Sequence, residues 1–67
     1  MIKEYSQKRF GTIAIQKGYI IKDQLIEALS LQIEYELAGT QQKLIGGILF
    51  EMGYMEMAEV NKVLEAM

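Results

Sequence analysis

Gly11-Thr-Ile-Ala-Ile-Gln-Lys-Gly18-Tyr19 returns 35 residues further on as Gly46-Gly-Ile-Leu-Phe-Glu-Met-Gly53-Tyr54. Laid over one another at that offset, residues 9–32 and 44–67 are identical at five of 24 positions. The identities pair Gly11 with Gly46, Ile13 with Ile48, Gly18 with Gly53, Tyr19 with Tyr54 and Leu29 with Leu64. Apolar character is kept at Phe10/Ile45, Ala14/Leu49, Ile15/Phe50, Ile20/Met55, Leu25/Val60 and Ala28/Val63. Neither half is large enough to bury such a face alone, so the 67 residues are expected to form one pseudo-symmetric domain. Its parts are a first repeat over 9–32, a spacer over 33–43 and a second repeat over 44–67.

The spacing inside each unit is helical. Phe10, Ile13, Ala14 and Lys17 share one face of a first helix, and Gly18 follows as a left-handed cap. A second helix is predicted from about Lys22 to about Glu36, with Leu25, Ala28, Leu29, Gln32 and Ile33 inward. Ala38-Gly39-Thr40 marks a turn in which Thr40 suits the N-cap of the third helix. That helix carries Leu44, Ile45, Ile48, Leu49 and Met52 and is closed by Gly53 as Gly18 closes the first. The fourth begins near Glu56 and presents Val60, Val63, Leu64 and Met67. Ile13-Ala-Ile and Ile48-Leu-Phe are β-friendly, but the three-and-four spacing around them favours helix. Residues 1–8 form either a frayed tail or an extra helical turn, with Ile2 and Tyr5 available for packing. The fold class expected is all-α, four short helices arranged as two pseudo-symmetric helical hairpins.

Composition narrows the chemistry. The chain has no cysteine and no histidine, which removes disulfides, thiolate metal sites and the commonest general base. Glu34 and Glu36 point to different sides of a helix, and Glu56 and Glu59 are followed by Lys62 as a salt-bridge partner. Ser6 and Ser30 have no base near them in sequence. No constellation for nucleophilic, metal or phosphoryl chemistry emerges, so an enzyme is not expected and no cofactor is implied. A net charge of −2 argues against a DNA-binding stripe. No apolar run reaches the ~20 residues of a membrane span, and the N-terminal residues do not resemble a signal peptide. The expectation is a cytoplasmic protein that neither inserts into membranes nor binds DNA.

The run Arg9-Phe-Gly-Thr-Ile-Ala-Ile-Gln-Lys-Gly-Tyr-Ile-Ile-Lys-Asp-Gln-Leu-Ile-Glu-Ala-Leu-Ser-Leu-Gln32 resembles the repeated motif of MshEN-type domains. These are related to the N-terminal domains of bacterial type II secretion and type IV pilus assembly ATPases. The motif reads arginine, an apolar residue, glycine, two further apolar residues, a second glycine, leucines and a closing glutamine. Arg9, Phe10, Gly11, Ile13, Ile15, Gly18, Ile20, Leu25, Leu29 and Gln32 match it. In that family two such motifs in tandem bind cyclic di-GMP. The second unit departs at its ends, with Leu44 where the arginine would stand and Met67 where the glutamine would stand. The spacer is also longer than the family's, and Ile21 and Glu56 replace the Ser or Thr expected before each second helix.

The resemblance implies a ligand set of Arg9, Phe10, Gly11, Gly18, Leu25, Leu29, Gln32, Lys43, Gly46 and Gly53. Arg9 would grip a phosphate or stack on a base, and Gln32 would bond a base edge. Phe10, Leu25 and Leu29 would pack on the purine face. Lys43 would stand in for the second arginine, without its forked geometry. Each position has a plainer reading too. Gly11 and Gly46 would permit close packing between helices, and Gly18 and Gly53 would be caps. Leu25 and Leu29 would be core, and a buried Gln32 would find its partners in neighbouring backbone.

Two functions follow. The first is a small non-enzymatic interaction or adaptor module that docks a protein partner or itself as a homodimer. The half of the composition that is apolar, and a second stripe of Ile26, Ser30, Ile33 and Leu37 on helix two, point that way. The alternative is a cyclic di-GMP sensor using the intact first motif, with two copies of Arg9 meeting across a dimer.

Overall fold

The computed structural model describes residues 2–39 and 43–67, with side chains described from residue 8 onward. All regular structure in them is helical: α1 spans Ile2–Gln16, α2 Lys22–Ala38, α3 Ile45–Glu51 and α4 Met57–Ala66. Residues 2–8 are thus helix rather than tail, and the packing expected of the Ile2 and Tyr5 side chains lies outside the described residues. Within α1, Thr12 adds a bond of its own, its Oγ1 donating to the Lys8 carbonyl at 3.0 Å. Lys17 lies beyond the last turn and is exposed. Thr40, proposed above as a cap, lies outside the described residues; the N-cap position of α3 is held by Leu44, in extended conformation.

The two units close their turns with the same bonds. The Gly18 amide donates to the Ile15 carbonyl at 2.9 Å and the Tyr19 amide to Ala14 at 3.0 Å. Thirty-five residues on, Gly53 donates to Phe50 and Tyr54 to Leu49, both at 3.0 Å. Both turns need a left-handed residue, with φ of 81° at Gly18 and 83° at Gly53, which glycine adopts without a Cβ clash. Neither following helix has a hydroxyl cap. Instead a side chain three residues on reaches back. Gln24 Oε1 accepts from the Ile21 amide at 3.0 Å, and Glu59 Oε1 accepts from Glu56 at 2.9 Å. This is the second half of a capping box, and it satisfies one orphan N–H at each start.

The core is built from Phe10, Ala14, Ile20, Ala28, Ile45, Ile48, Leu49, Met55, Val60 and Val63. α3 lies at its centre and packs on each of the other helices, and α1 also packs on α4. The main packing therefore crosses between the two units. Within the first unit, α1 and α2 meet where Leu25 lies over Gly11. Four side chains are wholly enclosed: Ile45, Ile48, Leu49 and Val63. Full burial of such a side chain stabilises by ~1.5–3 kcal/mol.

Several side chains expected inward are exposed. Ile33 is one, because α2 turns Leu25, Ala28, Gln32 and Tyr35 toward the core and Ile33 lies ~100° beyond Gln32. Leu64 is displaced from Val63 by the same angle. Leu44 and Met67 lie just outside their helices and are exposed as well. In the other direction, Ile20 and Met55 belong to no helical stripe and yet are buried, each directly after a turn tyrosine.

Candidate functional site

The residues nominated by the motif divide into three groups. Gly11 and Gly46 are both buried, and each makes room for a side chain of this same chain. A Cβ at Gly11 would lie 2.5 Å from Leu25 Cδ1, and one at Gly46 would lie 3.0 Å from Phe10 Cζ and 3.3 Å from Val60 Cγ1. Phe10 is a core residue at 4% exposure, and Leu25 and Leu29 are half-buried against the core. Gly18 and Gly53 are exposed caps at positive φ.

The second group is a polar cluster between α2 and the start of α3. Gln32 is buried, and its Nε2 donates to the Lys43 carbonyl at 2.9 Å. The amide thus has a backbone partner, as its plainer reading expects. Lys43 extends its ammonium to Glu51, 3.0 Å from each carboxylate oxygen, and lies 5.1 Å over the Tyr35 ring. The Glu51 bond, opposed by partial desolvation, holds the Lys43 pKa above its usual range. Here Lys43 ties the approach of α3 to its own last turn and to α2. Glu51 and Tyr35 gave no sign of this in sequence, since an eight-residue separation across a helix start follows no periodic rule.

The third group is Arg9 alone. It is exposed on α1 and has no ion pair among the described residues. The nominated residues thus lie in the core, at the two glycine turns, in the cluster between α2 and α3, and at one exposed position on α1. Among the described residues, no three acidic side chains converge as a metal site would require.

Two surface features remain. One is a groove of about 250 Å³ whose floor is Phe10, Ile45, Gly46 and Val60 and whose mouth is Leu44 and Leu64. The other is the outer face of α2. Ile26 is 50% exposed, Ile33 54% and Leu37 83%, and Ser30 lies exposed between them. These four residues at spacings of four, three and four form one straight stripe. Tyr54 braces this helix from behind the turn, its hydroxyl donating to Glu27 Oε1 at 2.6 Å. That bond, with desolvation second, raises the pKa of the phenol.

Comparison with family models, with curated proteins and with solved structures gave no match to this chain.

Proposed function

We propose that the protein is a small helical interaction module on an MshEN-like plan, and that it docks a protein partner through the outer stripe of α2. One observation carries this reading: three large aliphatic side chains stand in line on a helix whose opposite face already fills the core. Scattered exposed apolar residues are ordinary, but a continuous helical stripe is a surface that another helix can cover. No described helix is long and apolar enough to cross a membrane, so a lipid span is not what the stripe serves.

The cyclic di-GMP alternative draws its support from Arg9, the exposed cation of the intact motif. Against it, the Gln32 amide and the Lys43 ammonium already have partners within the chain, and Phe10 fills the notch at Gly46. Calorimetric titration of the chain with cyclic di-GMP, with GTP as control, separates the two readings. The interaction module gives no saturable heat at tens of micromolar. Saturable heat with cyclic di-GMP alone, lost in Arg9→Ala, would replace it with the sensor.

A further inference from the structure

The charges beside the α2 stripe indicate what kind of partner covers it. Seen down the helix, one edge of the stripe carries Asp23, Glu27 and Glu34, and the other carries Lys22 and Glu36. All five side chains are exposed. The Tyr54 hydroxyl holds Glu27 in place but, being neutral, does not discharge it. Four carboxylates against one ammonium leave the borders strongly acidic.

Building on the docking role proposed above, we infer that the occupant is a short amphipathic helix whose apolar stripe is edged with Lys or Arg. The stripe runs from Ile26 to Leu37, a length of about 16 Å at 1.5 Å per residue, which a helix of three turns covers. Its four-three-four spacing is the seam that paired helices use, and the residues flanking such a seam select the partner by charge.

A second copy of this chain fits poorly. Antiparallel pairing of two α2 helices sets Asp23, Glu27 and Glu34 against the same three residues. Parallel pairing sets them against the edge that holds Glu36 and a lone Lys22. Either way carboxylates outnumber ammonium groups four to one along the seam, so repulsion dominates. Among the side chains described on α1, the exposed ones are Lys8, Arg9, Thr12 and Gln16, none of them apolar.

The test is an amide chemical-shift titration of the full chain with two synthetic helical peptides. Both carry the same leucine seam; one has lysine on both edges, the other glutamate. The lysine-edged peptide is expected to bind one to one, with shifts centred on 26–37. It should bind at least tenfold tighter than its glutamate twin, and the difference should shrink as salt rises. In the Glu34→Lys/Glu36→Lys variant, both changes being exposed, the preference should reverse. Equal binding of both peptides at α2 would overturn the charge assignment while leaving α2 as the docking face. So would a dimer in sedimentation that Ile33→Ser dissolves. Binding of neither peptide, or shifts confined to residues outside α2, would overturn the docking role as well.

Discussion

Gly46 and Gly47 are neighbours on α3, and a single methyl group distinguishes what they do. A Cβ at Gly46 meets Phe10 and Val60 at 3.0–3.3 Å, whereas a Cβ at Gly47 meets nothing within 4 Å. Both pay the same conformational cost for being glycine in a helix. Gly47→Ala should therefore stabilise the protein by ~0.5–1 kcal/mol. Gly46→Ala should forfeit that gain, because the Phe10 ring and the Val60 side chain, both core residues, must shift to admit the methyl group. Thermal unfolding of the two variants checks this: Tm should rise by several degrees for Gly47→Ala and not for Gly46→Ala. At this scale the sequence was informative about residue type and silent about contact. It marked Gly46 as a place of close approach, but that the approaching group is Phe10 follows only from how α1 crosses α3.

At the scale of elements, the four helices and the two glycine turns were legible because their signals are local. Left-handed caps at Gly18 and Gly53 need no knowledge of the rest of the chain, and neither do the tyrosine amides that close the turns. What could not be read was which edge of each stripe faces inward. Ile33 and Leu64 each follow a buried residue by one step, and a step of ~100° is finer than apolar spacing resolves. The cluster of Gln32, Lys43 and Glu51 was illegible for a related reason, since it joins elements across a turn. The contact between Tyr54 and Glu27 makes a prediction here. Its hydrogen bond favours the protonated phenol, so Tyr54 should ionise above the ordinary tyrosine range. The stabilising contribution is then complete below pH ~10 and is lost as pH rises through the folded-state pKa. Ultraviolet titration of the phenolate, with Tyr54→Phe to assign the signal, should show Glu27→Gln moving that ionisation downward.

For the whole molecule, the core closes around α3 without help from the outer face of α2. Ile45, Ile48, Leu49 and Val63 are wholly enclosed, while Ile26, Ile33 and Leu37 remain in solvent. A domain of 67 residues with ~0.05–0.15 kcal/mol of stability per residue has little to spare for apolar surface that serves no purpose. The docking role requires that this stripe lie outside the packed core. Thermal unfolding of Ile33→Lys/Leu37→Lys tests it most directly, because lysine keeps the aliphatic stem and strips only the apolar ends. The predicted result is a cooperative transition with Tm within about 4 °C of the parent, a change below ~1 kcal/mol, at any protein concentration. A fall of ~10 °C or more would mean that the stripe belongs to the packed core, and the docking role would have to be abandoned.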